Sequence, residues 1–192
     1  MMIPKNTRSN SHGFTLIEVV IALFITSVIA LAGFQFFTKV SHQSEVQYDV
    51  SEMQNLCRIS LYDIRKTLRS AGYMVAGPPY EINGDSLIVY YSATQPIDTT
   101  TYFLQEYPDS VYEAVPGLPA GLKLHYLMKG VNSAPPTIYA DFISGMSFTE
   151  IDSTNVLVSI TSRVPRGDDT YSDNQGFRAF TLTDRVNVRN VD

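Results

Sequence analysis

The residues of this 192-residue chain that could do chemistry are few, and their spacing settles most of what they can do. Glu18 stands inside HGFTLIEVVIALFITSVIALAGFQFF (His12 to Phe37), a run long and apolar enough to cross a membrane. A carboxylate at that depth opposes insertion by on the order of 3 kcal/mol, so it needs a functional reason. The three histidines, His12, His42 and His125, form no HxH or HExxH pair, and no nucleophile elbow, P-loop or dinucleotide fingerprint is present. Cys57 is the single cysteine, so no intrachain disulfide can form. Asp168, Asp169 and Asp173 crowd the loop RGDDTYSDN and are the calcium candidates, although their spacing departs from an EF-hand. The chain is therefore expected to be no enzyme, to need no cofactor, and to hold no metal unless calcium sits in that loop.

Charge narrows the partners. The first thirteen residues carry Lys5 and Arg8 and no acid, which leaves twelve basic against nineteen acidic residues, net −7, in the rest. An acidic body without a basic patch argues against nucleic acid as a partner.

The elements that must position Glu18 come next. Phe14 to Phe37 is 24 residues with one charge; as a helix this is ~36 Å, more than the ~30 Å of a hydrocarbon core. A secretory signal would have a shorter apolar core and a small-residue cleavage site, which QFFTKVSHQSEVQYDV does not supply. A plain anchor fits the length and leaves Glu18 unexplained. Lys5 and Arg8 place the N-terminus in the cytoplasm and the rest outside. From Thr38 to Ala71 there is no proline or glycine, and Val46, Val50, Met53, Cys57, Ser60, Ile64, Leu68 and Ala71 recur at gaps of three and four. That spacing, widened by Leu56 and Leu61, predicts one continuous helix from about Phe14 to Ala71 with an apolar face made for a sheet. Gly33 is its weak point and Gly72 its C-terminal cap. Cys57 falls on the packing face and reads as a small buried hydrophobe rather than a reactive thiol.

Beyond Tyr80 the pattern turns to short strands: 86–93, 100–106, 122–128, 137–143, 145–151, 155–163 and 178–190. Their polar–apolar alternation suits antiparallel strands with one covered face. His125 alternates with Leu124 and Tyr126 and reads as a strand residue. Loops are expected at 107–119, 130–136 and 167–176. A long helix followed by such strands gives an α+β fold, the sheet wrapping the helix's apolar stripe.

Gly13-Phe14-Thr15-Leu16-Ile17-Glu18, after a short basic leader, resembles the cleavage site of type IV pilins and type II secretion pseudopilins. The resemblance implies that a prepilin peptidase cuts after Gly13, that Phe14 becomes the N-methylated first residue, and that Glu18, with Thr15 completing the motif, sets subunit register. There Glu18 would pair with a neighbour's N-terminal ammonium, the two buried charges offsetting each other. It also implies a pilin-like fold: leader 1–13, transmembrane helix 14–37, amphipathic continuation 38–72 and β-rich head 73–192. Asp63-Ile64-Arg65 and Arg69-Ser70-Ala71-Gly72-Tyr73 resemble the D-I-R…A-G-Y segment of PilW-like minor pilins. Val186-Asn187-Val188-Arg189-Asn190 resembles the ending of that group and of J-type minor pseudopilins. The single cysteine rules out the C-terminal disulfide loop of many major pilins and points to a minor subunit. The implied partners are prepilin peptidase, major and minor pilin subunits and the inner-membrane assembly machinery. The implied location is a single-pass cytoplasmic membrane protein with its head outside, then a pilus or pseudopilus, in a tip complex that primes assembly. The alternatives are a type II secretion pseudopilin and, from another class, a membrane-tethered periplasmic enzyme or binding protein.

Overall fold

The computed structural model describes residues 13–92, 97–108, 123–164, 167, 171 and 176–190. The chain divides into two compact units, Met1–Glu45 and Val46–Asp192. Helix α1 (Leu16–Ser70) provides most of the described first unit and continues into the second.

In the first unit nearly all the described helix residues are exposed. Its most apolar window has mean hydropathy 2.5 and none of it is buried against other parts of the chain. Thr26 and Ser27 lie inside this window, and their hydroxyls donate to the carbonyls of Ala22 and Leu23, each at 2.7 Å. Hydroxyls bonded back onto their own helix present no unsatisfied polar group to hydrocarbon. Gly33 leaves the helix unbroken, with nothing near the position of a missing side chain. A continuous i→i−4 ladder carries it without help from packing.

In the second unit the stripe expected from the sequence is buried. Val46, Met53, Cys57, Ser60, Leu61, Ile64, Leu68 and Ala71 face inward, with Val50 and Leu56 half-buried at its margin. They pack on a seven-stranded antiparallel sheet whose strands lie in chain order: β1 (Tyr80–Asn83), β2 (Ser86–Tyr91), β3 (Asp98–Glu106), β4 (His125–Val131), β5 (Thr137–Asp152), β6 (Asn155–Arg163) and β7 (Ala179–Asn187). Leu87, Val89, Tyr102, Leu127, Ile143, Val156, Val158, Ile160 and Val186 supply the sheet side of the core. The α+β architecture, helix on sheet, is the one the sequence predicts.

The differences are local. Strand β1 is four residues long, too short to show a period, and exists because Gly84 (φ 60) turns the chain so that Asn83 meets Ser86. The two strands expected at 137–143 and 145–151 are one, β5, interrupted by a register shift between Ile143 and Gly145. Beside that shift Phe142 adopts φ 56 and its N–H donates to the Tyr107 hydroxyl at 2.9 Å. Strand β4 starts at His125 rather than 122 and runs through Gly130 to Val131, shortening the loop expected at 130–136. Strands 86–93 and 178–190 end earlier than expected, at Tyr91 and Asn187.

The end of α1 joins the two ends of the head. Gly72 takes φ 74, the left-handed cap, and its N–H donates to Tyr90 O at 2.8 Å. Asn190 donates from its side-chain amide to Ala71 O at 3.0 Å, filling an orphan carbonyl of the last turn. A Cβ on Gly72 would collide with the Asn190 carbonyl. Gly72→Ala is thus expected to destabilise the head by more than about 1 kcal/mol through both φ and crowding. Denaturation of the full chain in detergent measures it, and a melting point equal to wild type contradicts this role.

Candidate functional site

The motif residues sit at the first turn of α1. Gly13 is exposed, with nothing near the position of a missing Cβ, and Phe14 is 88% exposed. A peptide between an exposed glycine and an exposed phenylalanine, ahead of the helix, is open to a protease. Thr15 is the N-cap: the helix begins at Leu16, and Val19 N–H makes the first helical bond to Thr15 O at 3.2 Å.

Glu18 is the third residue of the helix and closes a capping box with Thr15. Thr15 N–H donates to Glu18 Oε2 at 2.8 Å, the Thr15 hydroxyl donates to the same oxygen at 2.9 Å, and Glu18 N–H donates to Thr15 Oγ1 at 3.3 Å. Two orphan donors of the helix start are thereby satisfied, and the carboxylate lies at the positive end of the helix. Both bonds to the carboxylate end on Oε2, leaving Oε1 without a partner among the described residues. The signal for this was present in the sequence as Thr15-Leu16-Ile17-Glu18, a T-x-x-E ahead of an apolar run. Phe14, Glu18, Val19, Ala22, Leu23 and Thr26 line an open groove along one side of the first turns of the helix, with the small Ala22 among them.

A second polar group lies between α1 and the sheet, and sequence reasoning saw it only as a motif. Asp63 Oδ2 accepts from the Tyr102 hydroxyl at 2.6 Å and from Lys129 Nζ at 2.5 Å; the Tyr102 hydroxyl also bonds Thr67 Oγ1 at 2.8 Å. Lys129 Nζ lies 5.5 Å from the centre of the Tyr102 ring and 5.2 Å from that of Tyr139, a cation over two aromatic faces. Arg65, one residue past Ile64, pairs with Asp184 of β7 at 3.1 Å. Asp63 and Lys129 are each about four-fifths buried, so both charges need each other. Their neighbourhood is a lock, with every strong bond spent inside the head.

The remaining candidates resolve simply. Cys57 is fully buried; its thiol donates to Ser162 Oγ at 3.1 Å, and burial pushes its pKa up, which is the opposite of a reactive thiolate. His125 pairs across the sheet with Glu106 and Ile143, beside a register shift in β4–β5, and its Nδ1 is buried without a hydrogen-bond partner among the described residues. Asp168, Asp169 and Asp173 lie outside the described residues, and among those that are described no three metal-ligating side chains come together.

Burial, then the bond to Asp63, raises the pKa of Tyr102 far above its ordinary 10.0, and burial with a bond to Glu150 pushes Tyr80 up to about 12. A phenol whose folded pKa is raised stabilises the fold fully below pH 10.0, and that stability is lost as pH rises beyond it. Tyr102→Phe should lower stability near neutral pH by about 1–2 kcal/mol through the lost bonds. It should also flatten the alkaline fall in stability, read from denaturation midpoints on either side of pH 10.0. Equal alkaline slopes for the two proteins would exclude Tyr102 as the titrating group.

Residues 8–34 match the family model of the prokaryotic N-terminal methylation motif, a span that contains Gly13, Phe14, Thr15 and Glu18 and most of the apolar run. Comparison with curated proteins and with solved structures found no match. The N-terminal part of the chain is accordingly type IV pilin-like: a prepilin-type methylation motif on a helix that fits a single-pass membrane anchor, with prepilin peptidase and pilin-type subunits as its implied partners.

Proposed function

We propose that this chain is a minor type IV pilin of the PilW class, cut after Gly13, N-methylated on Phe14, and carried into a filament where it helps prime assembly. The observation that carries the reading is the exposed first turn: a methylation motif whose glutamate is held by its own N-cap. Lys5 and Arg8 favour a cytoplasmic N-terminus, and so a head on the far side of the membrane. The chain acts by packing rather than catalysis. Before assembly the capping box keeps the Glu18 carboxylate bonded, which lowers the penalty of holding it in hydrocarbon. Cleavage leaves an ammonium on Phe14, and Oε1 of Glu18 can accept such a group from a neighbour while Oε2 stays with Thr15. The groove along Phe14, Glu18, Ala22 and Thr26 suits an adjacent apolar helix, since a small residue in its lining lets two helices approach closely.

A type II secretion pseudopilin of the J type is supported by the same motif and by the closing Val186–Asn190. Deleting the chain separates the machines: loss of surface pili supports the first, loss of secreted proteins the second.

Intact mass and N-terminal sequence from native membranes test the shared core. A chain beginning at Phe14 with one added methyl, dependent on the peptidase, is expected; one that keeps Met1–Gly13 regardless would overturn the pilin reading. Glu18→Ala should be cleaved normally yet enter filaments at least about tenfold less, the factor given by about 1.4 kcal/mol of lost pairing. Wild-type incorporation of that variant would remove the pairing role.

A further inference from the structure

The outer edge of β7 is a backbone ladder that no described strand covers. Its register decides which groups face outward. Val188 N–H donates to Thr154 O at one end of the β6–β7 pairing, and Val164 N–H to Arg178 O at the other. Bonded pairs alternate along antiparallel strands. Phe180, Leu182, Asp184 and Val186 therefore turn their backbone groups to β6, and Thr181, Thr183 and Arg185 turn theirs away from the sheet. Thr181, Thr183 and Arg185 are also exposed, whereas Val186 is buried and Asp184 reaches Arg65 on the helix.

Natural sheets blunt such edges with short strands, bulges, proline or lysine. The opposite edge does so: β1 has four residues. Strand β7 does not. It has nine residues paired to β6 with no register shift, and contains no proline and no lysine. Water can satisfy such a row of outward N–H and C=O groups, and another extended backbone matches it group for group at strand spacing. The charge near this edge is opposite to that of the chain. Residues 176–190 hold Arg178, Arg185 and Arg189 against Asp184, in a protein whose residues after Gly13 carry −7. Arg185 meets Asp152 at 3.4 Å, but both are about half exposed, so that pair holds it weakly.

We propose that the outer edge of β7 is a docking strand: an extended segment of a neighbouring pilin-type subunit adds beside Thr181–Arg185, with an acidic residue facing Arg185. The proposal rests on the pilin reading and adds to it the surface through which the head meets its neighbour.

The register supplies the test. Thr183→Pro removes an N–H that β6 does not use, so the fold should persist while strand addition is blocked; Leu182→Pro, which removes a bonded N–H, is the unfolding control. The full chain carries the photo-crosslinker benzoylphenylalanine at Thr183 or, as a control inside the sheet on the same face, at Thr149. Leader cleavage and presence in pilus or pseudopilus fractions are followed in parallel. An adduct with a pilin-type subunit from position 183 and none from 149 is expected. Thr183→Pro, with wild-type melting, and the surface charge reversal Arg185→Glu should each lower incorporation by about tenfold. Equal adducts from both positions, or wild-type incorporation of both variants, overturns the docking strand and leaves the pilin reading standing. A wild-type chain that keeps its leader and never reaches the fractions overturns both.

Discussion

The fold of the head depends on the seam between the second half of α1 and the sheet. Small residues let the two surfaces meet: Cys57 and Ser60 on the helix, and Ser162 on β6, are all fully buried. Below them Ile64 and Leu68 fill the concavity, with no exposed surface left. Burial of an aliphatic side chain of this size contributes about 1.5–3 kcal/mol, so these positions outweigh any single polar contact. The polar contacts set position instead. Asp63 is held by Tyr102 on β3 and Lys129 on β4, and Arg65 by Asp184 on β7, so these contacts tie the helix to strands from β3 to the β7 edge.

Two short motifs at distant places in the sequence turn out to belong to one contact. Asp63-Ile64-Arg65 and Ala71-Gly72-Tyr73 lie along the seam, and Val186 to Asn190 closes it from the other end. Asn190 bonds Ala71 across 119 residues. Each residue type has a local reason: Ile64 for burial, Asp63 and Arg65 for charge pairing, Gly72 for a left-handed cap without a Cβ, and Asn190 for an amide that reaches a helix-end carbonyl. A motif of this kind describes how a head is locked, and says nothing by itself about what the head touches.

Period and punctuation made much of this legible. The stripe from Val46 to Ala71 is a strict helical repeat, and Gly72 ends it where the structure does. The strand at 155–163 appears where its alternation places it, whereas the alternating run read at 122–128 begins as a strand only at His125. What was not legible depends on contacts between distant residues. Four-residue β1 has no period of its own and is made by pairing to β2. Nothing local shows that Ile143 and Gly145 stand in one strand, because the irregularity between them is set by partners on β6 and by Tyr107. At the N-terminal site the residues were all visible. The bond between Thr15 and Glu18 was also written in their spacing, yet a reading of Glu18 as an intermolecular partner passes over it.

The position of Asn190 has a consequence for the order of events during synthesis. Helix α1 is made first, and the strand and amide that cover its last turns are made 119 residues later. Until then the cover over Ile64, Leu68 and Ala71 is incomplete: Leu87, Val89 and Tyr102 follow the helix closely, but Val186, Val188 and Asn190 arrive last, through contacts that span most of the chain, the slow kind to form. The newborn helix therefore waits with part of its apolar face bare.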